Sequence, residues 1–255
     1  MKYLRTSDLA RAVGIHPNTV RLYQDWGLIP PVERSPGGYR LFTQRHLDCL
    51  KLARTIYAAT YPGRGFRAQG NAIIQCAVGD DWQGALEKAR EYLASIKVEL
   101  KRADDAANLL EDWAQRRTQA DDDEPLPIRE VSKRLGVSHD VIRNWERNGL
   151  IRVRRNSYNN YRLFSPRDIE RLQIIRMLSH AGYSHMAILR MFLELDGGKP
   201  RDLKKVLDTP RADEDIFTAA DHWLTTLRGQ EKLAQQVIQW IEKMVAKGNT
   251  DSKVT

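Results

Sequence analysis

Apolar residues recur at alternating spacings of four and three along two stretches of the chain. The first runs through Trp82, Leu86, Ala89, Leu93, Ile96, Leu100, Ala103, Ala107, Leu110 and Ala114, with no polar interruption. The second runs through Ile216, Ala220, Trp223, Leu227, Gln230, Ala234, Val237, Ile241 and Met244, broken only by Gln230. A heptad pattern held over four repeats predicts a long helix pairing with another helix rather than a surface helix. The core of this seam is Leu86, Leu93, Ile96, Leu100 and Leu110 on one run and Trp223, Leu227, Val237 and Ile241 on the other. At about 1.5 Å per residue, each run spans roughly 45–50 Å.

Ahead of each seam lies a shorter, mixed pattern, and the two copies match. A shift of 122 residues lays 6–54 over 128–176 without a gap, with 13 identities in 49 positions. Gly14 meets Gly136, Arg21 meets Arg143, and Gly27-Leu28-Ile29 meets Gly149-Leu150-Ile151. Tyr39-Arg40-Leu41-Phe42 meets Tyr161-Arg162-Leu163-Phe164. Such a repeat is one structural unit used twice.

Each copy predicts the same elements. A short amphipathic helix comes first, over 7–12 and 129–134, and Gly14 or Gly136 permits a tight turn. The second helix starts at Ser138, a good N-cap, or at His16, a poorer cap relieved by Pro17 at the first helical position. Val20 and Tyr23 face back to the first helix, while Arg21 points elsewhere on the 3.6 period. Gly27 and Gly149 end that helix. A strand over 28–29 or 150–151, a turn through Ser35-Pro36-Gly37-Gly38 or Ser157-Tyr158-Asn159-Asn160, and a return strand over 39–42 or 161–164 complete a two-stranded wing. The expected fold is mainly α: two winged helix-turn-helix domains with small wings, each followed by a long coiled-coil helix.

Charge sharpens this picture. The 255 residues carry 41 Lys and Arg against 33 Asp and Glu, a net of +8. Residues 1–56 hold +5 and 128–180 hold +7, leaving −4 for the rest. Two basic blocks in register with a repeat are the footprint of phosphate binding. The remaining composition, 42% hydrophobic and 29% charged, is that of an ordinary soluble chain. No run of 18 apolar residues predicts a membrane span, and residues 1–8 lack a signal-peptide stretch. Cys49 and Cys76 are too few for a disulfide framework or a four-thiolate zinc site. They are expected to be buried or inert thiols in a reducing cytoplasm.

The second helix of each unit can enter the major groove and present its N-terminal residues to base edges. Those residues are Asn18, Thr19 and Arg21 in the first copy, and Ser138, His139, Asp140, Arg143 and Asn144 in the second. Arg34, Tyr39 and Arg40, with Arg154, Arg155, Tyr161 and Arg162, stand on the wings, where phosphates are met. Tyr39 and Tyr161 could instead pack the wing core, which Leu41 and Phe42 can fill alone.

The order Thr19-Val20-Arg21-Leu22-Tyr23, Gly27-Leu28-Ile29, Gly38-Tyr39-Arg40-Leu41-Phe42 resembles the DNA-binding domain of MerR-family transcription regulators. The second copy, Val141-Ile142-Arg143-Asn144-Trp145-Glu146, Gly149-Leu150-Ile151, Tyr161-Arg162-Leu163-Phe164, is similar. It departs at Val141, where a Thr is usual, and at Asn159-Asn160. The resemblance adds Tyr23 to the DNA-contact set. It implies promoter DNA and RNA polymerase as partners, and control by distorting a promoter whose elements are badly spaced. In that family the long helix pairs antiparallel with its twin in a homodimer. Here one chain carries both halves, so the expectation is a monomeric pseudo-dimer with two reading heads about one DNA turn apart, roughly 34–36 Å. A homodimer with four heads is the alternative arrangement.

The organisation expected is a first DNA-binding domain with connecting helices over 1–79 and a first long helix over 80–117. An acidic linker over 118–127, through Asp121-Asp122-Asp123-Glu124-Pro125, leads to a second domain over 128–212. A second long helix over 213–247 and a tail over 248–255 follow. Connecting helices are placed near 67–78, 184–194 and 201–207. Gly182-Tyr183-Ser184 is similar to the family's usual lead into its connecting helix; the first copy has Gly65-Phe66-Arg67 after Tyr61-Pro62-Gly63-Arg64.

Metal-sensing members of the family place cysteines at the start of the long helix, where this chain has Asp80-Asp81-Trp82. No cysteine quartet for an iron–sulfur cluster exists, and neither a metal site nor a cofactor is expected. Trp82, Trp113, Trp223 and Trp240 flank the seams and either pack the coiled-coil ends or line a ligand pocket. No nucleophile–base set or phosphate loop suggests an enzyme. Two other functions fit the same pattern: an architectural or excisionase-like DNA-bending protein, and a drug-binding resistance protein.

Overall fold

The computed structural model describes residues 3–58, 65–116, 124–198, 202–210 and 219–251, and of these the backbone alone at 116, 219–220 and 248–251. The Tyr61-Pro62-Gly63-Arg64 segment, the acids Asp121-Asp122-Asp123, Ile216, the Ala220 side chain and the chain's end lie outside the described residues. The chain divides into two compact units, Met1–Lys97 with Arg228–Thr255, and Val98–Leu227.

The first unit opens with α1 (Thr6–Ala12) and α2 (Pro17–Asp25), then the wing strands β1 (Glu33–Arg34) and β2 (Arg40–Leu41). α3 (Gln44–Tyr57) and α4 (Phe66–Val78) follow, then the long helix α5 (Trp82–Arg116), whose first half belongs to this unit. Leu9, Val20, Tyr23, Leu28, Ile29 and Phe42 make the core of the head, and Leu50, Ile56, Ile73 and Ile74 extend it. The second unit repeats the plan with β3 (Leu126–Pro127), α6 (Ile128–Leu135), α7 (His139–Arg147), β4 (Arg154–Arg155), β5 (Arg162–Phe164), α8 (Pro166–His180), α9 (His185–Asp196) and α10 (Leu203–Asp208). A 3₁₀ turn, Ala219–His222, leads into the long helix α11 (Trp223–Asp251). The fold is mainly α, as the patterning predicts.

Two expectations need correction. The outgoing wing strands are Glu33–Arg34 and Arg154–Arg155, not 28–29 and 150–151. Leu28, Ile29, Leu150 and Ile151 are all at least 95% buried, and serve as core plugs behind the second helix. The gapless repeat also slips by one residue in the wing. Arg34 pairs with Arg40, whereas Arg155 pairs with Arg162, so the second turn is one residue longer. Both turns still need a left-handed residue: Gly38 at φ 79°, and Asn160 at φ 58°, Asn being among the few side chains that tolerate it.

The seams behave as a wider stripe than the heptads alone outline. In the first unit, Leu86, Ala89 and Ile96 of α5 are buried with Ala234, Val237 and Ile241 of α11, but so are Ala85 and Tyr92. Trp82 meets Trp240 edge-on with centroids 5.7 Å apart. Gln230, the one polar seam position, is buried and accepts a 2.8 Å hydrogen bond from the Tyr92 hydroxyl. An amide buried without a partner costs about 1–3 kcal/mol, so each of these two groups makes the other tolerable. The Tyr92 phenol is pushed up to about 12 by burial. Leu93 and Leu100 are only partly buried at the margins of the two cores. In the second unit, Ala103, Ala107 and Leu110 pack with Trp223 and Leu227. The Trp223 indole donates to the Ala181 carbonyl at 2.7 Å, and Trp113 packs against Phe192. Among the described residues the second long helix runs from Trp223 to Asp251.

Among the described residues no helix is long and apolar enough to cross a membrane.

Candidate nucleic-acid interface

Each unit presents the same surface: the N-terminal turn of its second helix beside its wing. On α2 the His16 Nδ1 accepts from the Asn18 backbone N–H at 3.2 Å, so the ring does the capping work of a Ser. On α7 the Ser138 hydroxyl accepts from the Val141 N–H at 3.3 Å. Val20, Tyr23, Ile142 and Trp145 anchor the helices inward, which turns Asn18, Arg21, Asp140 and Arg143 outward. Arg21 donates to the Asn18 side-chain carbonyl at 3.3 Å, and Arg143 pairs with the Asp140 carboxylate at 3.3 Å. The first arginine is thus held by a neutral amide and the second by an anion. Both partners are exposed, so these tethers are weak and guanine edges or phosphates can displace them.

The expected contact residues divide by what the fold does with them. Asn18, Arg21, Arg34, Tyr39, Ser138, Arg143, Arg154, Arg155 and Tyr161 are exposed, while Thr19, His139 and Asn144 are half-buried. Tyr39 and Tyr161 are 78% and 71% exposed, so the wing cores are filled by Phe42 and Phe164 instead. Tyr23 is a correction. It is 6% exposed, stacks obliquely on Trp26 and belongs to the head's core rather than to its exposed face. Arg40 and Arg162 are half-buried wing clamps. Arg40 Nε donates to the Gln24 side-chain carbonyl at 2.9 Å. Arg162 Nε donates to a Glu146 carboxylate oxygen at 2.7 Å, and Arg155 approaches the same carboxylate at 3.9 Å. These links fix the wing against the recognition helix and so set which phosphates the remaining cations can meet. The repeat itself held the signal for them: Gln24 aligns with Glu146 as Arg40 aligns with Arg162. Trp26 and Tyr158, 62% and 97% exposed, were not singled out by the pattern.

A second difference lies behind the wings. Thr43 and Ser165 cap α3 and α8 in reciprocal boxes. In the second unit Ser165 N–H donates to Asp168 at 2.9 Å. In the first, Thr43 N–H donates to His46 Nδ1 at 3.0 Å, and His46 Nε2 contacts the Pro31 carbonyl at 3.2 Å. An Nδ1 that accepts and an Nε2 that donates require the neutral ring. Burial is the main force lowering the His46 pKa, reinforced by Arg45 and opposed by the Pro31 carbonyl and Glu33. A depressed histidine contributes stability that is complete above its ordinary value near 6.5 and lost as pH falls. Acidification from pH 7.5 to 5 should therefore lower the amide protection factors of residues 3–58, measured against the intrinsic exchange rate at each pH, while those of residues 124–180 hold. Equal loosening of both heads would contradict it.

Cys49 is buried, donates to the Ala77 carbonyl at 3.6 Å, and has its thiol pushed up to about 12, chiefly by burial. Among the described residues no group of three His, Cys, Asp or Glu side chains is placed to hold a metal.

The family described as MerR HTH family regulatory protein matches residues 4–59 and 126–195, once in each unit. The chain is 41% identical to the HTH-type transcriptional regulator CueR of Vibrio cholerae over 107 residues, 38% of this chain and 76% of that protein. It is 29% identical over 117 residues to a probable heavy metal-dependent transcriptional regulator of Haemophilus influenzae, 46% of this chain and 83% of that one. It is 41% identical over 51 residues to CueR of Escherichia coli, spanning 20% of this chain and 38% of that relative's length. No solved structure matches. Two matched heads, each with its basic surface, and a relative covered over three quarters of its length lead to one conclusion: the chain belongs to the MerR family of helix-turn-helix transcription regulators, and carries the family's DNA-binding module twice.

Proposed function

We propose that this regulator works as a single-chain pseudo-dimer on a promoter site with two unlike halves, distorting the DNA so that RNA polymerase can use it. The observation that carries this reading is the pairing of α5 and α11 of one polypeptide. Tyr92 bonds Gln230, Arg90 bonds Glu242 at 3.1 Å, and Trp82 meets Trp240. These contacts run antiparallel and occupy the face that a homodimer would offer to a second copy. A covalently joined partner helix is present at an effective concentration on the order of millimolar, which a second chain at micromolar concentration cannot match. Light scattering over a hundredfold concentration range should give a constant mass near 29.4 kDa; twice that mass would overturn the single-chain arrangement.

Unlike recognition helices imply unlike half-sites. A homodimer imposes two-fold symmetry on its operator, but one chain with Asn18, Thr19 and Arg21 in one head and Asp140, Val141 and Arg143 in the other does not. Arg21→Ala should weaken one half-site and Arg143→Ala the other, each by about 1–3 kcal/mol for a bidentate contact to guanine. Footprints in which both substitutions damage both halves equally would contradict the reading. Shape-based control follows if bending energy is repaid by the contacts of two linked heads. Run-off transcription from a site selected by the protein tests that step.

A further inference from the structure

The first head has an open pocket beside the end of its second helix. Tyr23, Trp26 and Leu28 line it from the head, Tyr57 from the end of α3, and Arg67, Asn71 and Gln75 from one face of α4. Its volume is about 490 Å³, within the range of small-molecule sites. In the second unit the surroundings of Gly149 and Leu150, the counterparts of Gly27 and Leu28, differ. Leu189 reaches Gly149, and the Arg171 guanidinium lies 3.8 Å over the Phe192 ring while its Nε donates to the Leu150 carbonyl. In the first unit Gln75 reaches across, donating to the Gly27 carbonyl at 3.1 Å.

We propose that this pocket binds a planar aromatic carboxylate. Three aromatic side chains give the ligand ring faces and edges to pack on. Trp26 is largely exposed, so its indole is free to cover a bound ring. Among the described residues of the lining Arg67 is the cation, and a guanidinium matches a carboxylate in a two-pronged hydrogen bond. Asn71, whose side-chain carbonyl accepts from the Tyr57 hydroxyl, and Gln75 set polar groups on the same wall. A ligand here touches the last turn of the recognition helix and α4 together, so it braces the head against the helix that leads to the long pair. The inference does not rest on the promoter reading, because binding is measured without DNA.

The test is calorimetric titration of the full chain with 1-naphthoate and with its neutral analogue 1-naphthalenemethanol. The expected result is saturable binding of one naphthoate per chain, at least about tenfold tighter than the alcohol. Arg67→Gln should erase that preference and leave the alcohol unchanged, and Trp26→Ala should weaken both ligands. Both residues are exposed, so the variants keep the fold, which a thermal melt verifies. Absence of saturable binding up to millimolar naphthoate would overturn the proposal. So would Arg67→Gln or Trp26→Ala protein that binds as the unmodified chain does.

Discussion

Raising the salt from 50 to 200 mM should weaken promoter binding about a thousandfold. Each phosphate neutralised by a side chain releases condensed counterion, so log K falls with log salt at about 0.9 per contact. Charge blocks alone leave the number of contacts open, and six to ten would give about 10³–10⁵-fold. The tertiary structure favours the low end. Arg40 and Arg162 hold the wings, which leaves Arg21, Arg143 and Arg147 on the second helices and Arg34, Arg154 and Arg155 on the wing strands as exposed cations. Removing one of these, as in Arg154→Gln, should lower the salt slope by about 0.9. Arg162→Gln should act differently. It leaves the Glu146 carboxylate without its closest cation and frees the wing, so it should lower affinity more than its share of the slope. Fluorescence anisotropy across a salt series measures both quantities. A flat response would remove the wings from the phosphate contacts.

Arg190→Met should destabilise the second unit by about 3–5 kcal/mol, the cost expected for disrupting a buried charged network. Arg190 is 3% exposed in α9, and its guanidinium is directed at backbone carbonyls. Its Nε donates to Val206 at 2.8 Å, and Nη2 reaches Leu207 at 3.3 Å and Asp221 at 3.4 Å. Those carbonyls close α10 and the 3₁₀ turn before α11, so one side chain ties the connecting helices to the start of the long helix. Asp221 is buried beside it and accepts from the Ser184 hydroxyl, the N-cap of α9. Met fills much of the volume but leaves the acceptors unpaired, each at about 1–3 kcal/mol. Lys keeps the charge without the planar fork, so Arg190→Lys should recover less than half of the loss. Hydrogen exchange should show α9 and α10 opening first, with the first unit unchanged. A loss below about 1 kcal/mol would show that water replaces the guanidinium without cost.

Much of this protein was legible in the amino-acid order. Heptad spacing, a repeat at 122 residues and glycines at matching turns determined two winged heads and two long helices, because these signals are local and each is read from neighbours in the chain. The exposed arginines of the recognition helices were legible for the same reason: periodicity says which way a helical side chain points. What periodicity cannot give is the identity of the partner across space. Tyr23, which the 3.6 period turns inward and the resemblance set among the DNA contacts, is buried as the period predicts. Arg40 and Arg162 looked like phosphate contacts until Gln24 and Glu146 were found within hydrogen-bond reach, sixteen residues away in the chain. Gln230 looked like a flaw in the second seam, and only the packing of α11 on α5 brought it to Tyr92. The one-residue slip in the wing was hidden by turn residues that align by type but not by hydrogen bond. Local sequence determined which elements form and which face each one offers. The tertiary structure decided which polar groups on those faces are consumed by the fold, because a buried donor or acceptor takes whatever partner lies within about 3 Å, however distant it is along the chain.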